Sequence, residues 1–176
     1  VIQLAAQTYF EGQQIDTLGK AITLRGVLDK AGEPASVLDG AGSHRVLICQ
    51  NGKTGVAGLE DLTIRNGRSF SGAGVYASNA ILVLSNCVFV SHETFGNTGG
   101  GAVYLESAEA DFVGCHFSKN YTGKDGGALH SRGGSVARLS GCTMHSNSAG
   151  GSAGAIHTAN STIELIDCIF SNNSGT

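Results

Sequence analysis

Four ring-bearing residues, Tyr76, Tyr104, His130 and His157, recur at intervals of 28, 26 and 27 residues along this 176-residue chain. Small residues precede each of them: GAGVY, GGAVY, GGALH and AGAIH. Two residues further on stand Ser78, Glu106, Arg132 and Ala159. A file of rings beside small residues is a shelf on which the apolar faces of sugar rings can stack. Tyr76, Tyr104, His130 and His157 are therefore the candidate ligand-binding residues. Glu106, His130 and Arg132 are the groups available for acid–base work there. The strip carries one carboxylate where glycoside hydrolysis uses two. Glu106 and Arg132 read more simply as an ion pair between successive repeats. His130 with His157, lacking a carboxylate, makes a poor metal site, and none is expected. Asp16, Asp29 and Asp39 are too far apart to suggest calcium, and Glu60 with Asp61 reads as a solvated pair near a turn.

A second set of columns follows the first. Cys87, Cys115, Cys142 and Cys168 are spaced by 28, 27 and 26 residues. Two positions after each come Phe89, Phe117, Met144 and Phe170, and five positions after come His92, Asn120, Asn147 and Asn173. Cysteines stacked in file would lie about 4.8 Å apart with parallel Cβ vectors, too far for the roughly 3.8 Å of a disulfide. Free, buried thiols are the expectation, with Cys49 in the core as well. The asparagines are expected to pass hydrogen bonds from repeat to repeat. Asp111, Arg138 and Glu164 alternate in sign, each exposed pair contributing at most about 1 kcal/mol.

The elements that must carry these columns follow from the period inside each repeat. Leu82, Leu84, Cys87 and Phe89, and their counterparts in later repeats, alternate at a spacing of two with glycine or asparagine breaks, which is a strand pattern. A repeat of this length cannot bury its apolar face alone, so the chain reads as an all-β right-handed parallel β-helix of about six coils of roughly 25–28 residues. With Val75, Val103, Leu129 and Ile156 inward, the rings should point outward beside a bare edge of Gly74, Ala102, Ala128 and Ala155. One domain is expected over 1–176, with looser first coils over 1–67 and four regular repeats over 68–176. The runs at Ile2, Leu4 and Ala6, at Ile22 and Leu24, and at Val37 and Leu38 are expected to be three strands of one opening coil, with a protruding turn at Asp29–Pro34. A second coil should run from Arg45 to Gly67.

With 27 glycines and one proline among persistent apolar alternation, the composition fits tight corners rather than disorder. Net charge is −3 with scattered lysines and arginines, which argues against a nucleic-acid partner. No apolar run approaches membrane-spanning length. Residue 1 is Val, and no signal-peptide pattern follows it, so a mature or trimmed product is expected. No polar cap is legible after Asn173, which suggests a piece of a longer β-helix or self-association through the last coil.

GGAVY and GGALH, followed by CHFSKN and CTMHSNSA, resemble the repeats of polymorphic outer-membrane proteins of bacterial surfaces, whose FxxN element is met at Phe117–Asn120 and Phe170–Asn173. Met144–Asn147 meets it with Met for Phe, and Phe89–His92 departs from it. The opening, IQLAAQTYFEGQQIDTLGKAITLRG with VLDGAGSHRVL, is similar to first coils of the pectate-lyase-like superfamily. These resemblances imply a secreted or cell-surface module for adhesion or structural display, presenting segments such as His92–Gly100 and Tyr121–Asp125 to a polysaccharide or host surface. They imply as the alternative a carbohydrate-binding or carbohydrate-active β-helix, lyase or hydrolase, using the outer face of the first strand. No cofactor is expected, except Ca²⁺ if that lyase alternative holds.

Overall fold

The computed structural model describes residues 1–10 and 12–176, with the side chains of Asn51, Lys53 and Thr54 left out. Among the described residues there is no helix, only strands, bridges, turns, bends and irregular stretches. The strands are paired in parallel between successive coils and form sheets of eleven, seven and four members. Six coils stack, preceded by a partial rung, as a parallel β-helix. The register turns sequence columns into ladders. Ile2, Leu24, Leu59, Leu84, Phe112, Leu139 and Leu165 stand in one file. Tyr9, Leu38, Ile64, Phe89, Phe117, Met144 and Phe170 stand in another. Residues of both files form one continuous apolar core along the axis. Phe89 and Phe117 stack within it, with ring centroids 4.8 Å apart.

The corners explain why the chain turns so regularly. Asn79, within the long strand Val75–Ser85, and Ser107, Gly133 and Asn160, each just after the first strand of its coil, take positive φ. After the second, Asp61, Asn86, Gly114, Gly141 and Asp167 do so, and after the third, Asn66, Ser91, Lys119, Ser146 and Asn172. Left-handed backbone is cheapest for Gly, Asn and Asp, the residues that dominate these positions.

The opening departs from the expectation of one coil. Ile2–Gln3 pairs with Leu24–Arg25, and Thr8–Tyr9 pairs with Val37–Leu38, so these runs lie in adjacent layers. Val1–Tyr9 is the partial rung; Ile15–Asp16, Thr23–Arg25 and Ser36–Asp39 are the first full coil. The short strands here lack the Cys and Asn columns that mark register elsewhere, so spacing alone did not separate the layers. The second coil falls where expected, with a long strand Leu47–Glu60 followed by Leu62–Arg65. In the last coil Leu165, Ile166, Ile169 and Phe170 are exposed.

Candidate functional site

The first strands Val103–Glu106, Leu129–Arg132 and Ile156–Ala159 stack in register with Val75–Ser78, which brings Tyr76, Tyr104, His130 and His157 into one file. Tyr76 and Tyr104 stack at 5.5 Å, Tyr104 and His130 at 5.1 Å, and His130 and His157 at 4.8 Å. The file is not an open shelf. Tyr104 is 3% exposed and His130 8%, with Tyr76 and His157 half-buried. The expectation of outward, solvent-facing rings is corrected by the glycine turns that precede each strand. A Cβ on Gly72, itself at φ +50°, would lie 2.9 Å from Tyr104 Cβ, and one on Gly99 would collide with His130 Nδ1. These turns lie over the rings of the next coil, and they are bare because the rings fill the space. The expected bare edge is interior too: Ala102 and Ala128 are buried, and Gly74 faces the His92 imidazole.

Polar groups close the rest of the file. Glu106 accepts a hydrogen bond from the Tyr76 hydroxyl at 2.9 Å and pairs with Arg132 at 3.2 Å. Burial first, and then this bond to Glu106, push the Tyr76 phenol upward. The Arg45 guanidinium sits 4.9 Å over the Tyr76 ring while donating to the carbonyls of Ser71 and Gly72. Burial lowers the His130 pKa. Of the candidate catalytic set, Glu106 and Arg132 are therefore brought together, but as a pair tied to Tyr76, while His130 is packed between Tyr104 and His157.

The interior columns are built as ladders. The Sγ atoms of Cys87, Cys115, Cys142 and Cys168 donate to Leu59, Leu84, Phe112 and Leu139 carbonyls of the preceding coil at 3.4–3.5 Å. All five cysteines are free thiols; Cys49, Cys87, Cys115 and Cys142 are buried, and Cys168 on the last coil is half-buried. Burial pushes the Cys49 thiol up to about 12. Asn120 donates to Asn147 Oδ1, and Asn147 to Asn173 Oδ1, both at 2.9 Å. Where the repeats break pattern, His92 completes the ladder. Its backbone N–H donates to Asn120 Oδ1, its Nδ1 accepts from Gly67 N–H, and its Nε2 lies 2.9 Å from Ile64 O. That set of partners holds the imidazole neutral, and burial lowers its pKa to about 4. Arg138 bridges Asp111 at 3.2 Å and Glu164 at 3.5 Å.

A different aromatic surface stands open on the fourth side of the coils, where Arg68–Ser69, Glu93–Thr94, Tyr121–Thr122 and Ser148–Ala149 stack. Phe70 and Phe95, 67% and 50% exposed, pack there with centroids 4.5 Å apart. The segments expected to be display loops lie partly in this sheet: His92, Thr94 and Thr122 are buried. A family described as right handed beta helix region matches residues 46–176. The chain belongs to this right-handed β-helix family. No curated protein and no solved structure matches it.

Within this β-helix, the described residues gather no acidic cluster of the kind that would hold calcium for a lyase. The strip's carboxylate is held by Arg132 and Tyr76. Asp39 is engaged as well, by Arg65 at 2.6 Å and Asn66 at 3.2 Å. Phe10, Phe70 and Phe95 fall outside the Cys and Asn register, so the repeat columns do not mark them. The signal that marks two of them is an exposed-side phenylalanine two residues after Arg68 and after Glu93, in successive coils.

Proposed function

We propose that this β-helix is a noncatalytic module for display or adhesion, on the surface of a cell or secreted from it. The observation that carries the reading is the state of Glu106. The strip's single acid, partly exposed, accepts from Tyr76 and pairs with Arg132, beside the covered rings of Tyr104 and His130. A general acid or base needs hydrogen-bond reach to its substrate, and these contacts occupy that reach. The cell-surface setting rests on the resemblance of the GGA and FxxN elements to polymorphic outer-membrane protein repeats. A pectate-lyase-like ancestry would fit the same fold without its chemistry, since fold alone does not carry function. The test is incubation of the chain with neutral and acidic polysaccharides in the presence of Ca²⁺, measuring new reducing ends. No release over background is the expected result; release that disappears in Glu106→Gln would contradict the reading.

A further inference from the structure

We infer that the groove between Phe10 and the Arg68–Glu93 pair, together with the Phe70–Phe95 rings beside it, binds a neutral oligosaccharide. The groove is an open depression of about 570 Å³ with Asn66, Gly67 and Ser91 on its lining. That volume falls in the range of about 300–1,000 Å³ common to small-ligand sites. Its polar lining argues against a purely apolar guest. Its charges cancel locally: Asp39 is held by Arg65 and Glu93 lies 3.7 Å from Arg68, so no unbalanced field selects an anion or a cation.

The rings supply the other half of saccharide chemistry. Phe10 is 63% exposed on one wall. Across the groove, the Arg68 guanidinium lies 5.1 Å from the Phe95 centroid, and Phe95 meets Phe70 at an interplanar angle of 55°. Arg68 thus joins the polar groove to the open rings. Tyr121, exposed and in register with Glu93, extends the aromatic surface by one coil. Beyond the rings the surface is unfenced, since a Cβ on Gly123 would meet nothing closer than 3.9 Å. Pyranoses whose substituents are all equatorial present apolar C–H faces to such rings and hydroxyls to groups such as Glu93, Arg68 and Ser91. A protein partner would bury a broad apolar patch; this concave, polar-floored groove with scattered rings fits a chain of sugars better.

This site deepens the display reading and rests on it for its biological setting, but the two fail separately. Turnover of a polysaccharide would remove the noncatalytic reading and leave the site standing, whereas absent binding would remove the site alone. The experiment is titration calorimetry of the whole chain with cellotetraose and chitotetraose, with tetragalacturonate as the acidic comparison. The same titrations are run on the Phe70→Ala/Phe95→Ala double variant, on Glu93→Gln and on Val113→Ser, an exposed change on another side. Melting curves establish that each variant is folded. A neutral tetrasaccharide should bind with little dependence on salt, about tenfold more weakly to the double variant, as expected for two lost ring contacts, and unchanged to Val113→Ser. Any of these results would overturn the inference: neither neutral probe binding at millimolar concentration, equal binding by the double variant, or preference for tetragalacturonate that fades with salt. Self-association abolished in the double variant without sugar binding would assign the face to protein contact and overturn it as well.

Discussion

Two aromatic files run along this solenoid, and they have opposite fates. Tyr76, Tyr104, His130 and His157 repeat in strict register with small neighbours, yet turns pack over them until Tyr104 is nearly inaccessible. Phe70 and Phe95 recur in two coils only, outside the Cys and Asn columns, yet they stand in solvent with a polar groove alongside. Regular spacing in a solenoid reports what stacking requires, and the open aromatic surface lies where the repeat is broken.

The sharpest way to break this contrast is truncation on the covered side. Tyr104→Ala removes a buried ring between two stacked neighbours and should destabilise by about 3–4 kcal/mol in denaturant unfolding. A loss under 1 kcal/mol, of the order of ordinary surface changes, would mean that the ring is in fact solvated. Acid should act next most strongly, through His92. Its folded pKa of about 4 lies below the unfolded value of about 6.5, so between these pH values the unfolded chain binds the proton and the folded chain does not. Stability contributed by the neutral imidazole is complete above about pH 6.5 and falls by about 3 kcal/mol on acidification to about pH 4, a slope that His92→Asn should flatten. On the open side, Phe70→Ala with Phe95→Ala should change stability by no more than about 1 kcal/mol. Glu106→Gln keeps an acceptor for the Tyr76 hydroxyl and loses a half-exposed ion pair, so about 0.5 kcal/mol is expected from thermal melting.

Much of the fold was legible because its ladders are written in residue type. A cysteine or asparagine recurring at one period, followed by a fixed large apolar residue, can satisfy its neighbours only by stacking, and the paired registers of Phe89 with Phe117 and Asn120 with Asn147 are the outcome. His92 was visible as a departure from the asparagine column, but not as its completion, because the Gly67 N–H and Ile64 carbonyl it joins come from the coil before. The covering of Tyr104 was not legible. Alternation assigns a side chain to one side of a strand, while Gly72 and Gly99 decide what lies above it through turn geometry between coils. The same limit applied to the opening layers, where Ile2 and Leu24 look like strands of one coil until pairing places one upon the other.

The central claim, that the repeated ring file is covered and the unrepeated one is open, is tested most directly by hydroxyl-radical footprinting of the native chain with mass-spectrometric readout. Phe70, Phe95 and Tyr121 should oxidise rapidly, with Tyr104 protected until the protein unfolds. Oxidation of native Tyr104 as fast as Tyr121 would contradict the account.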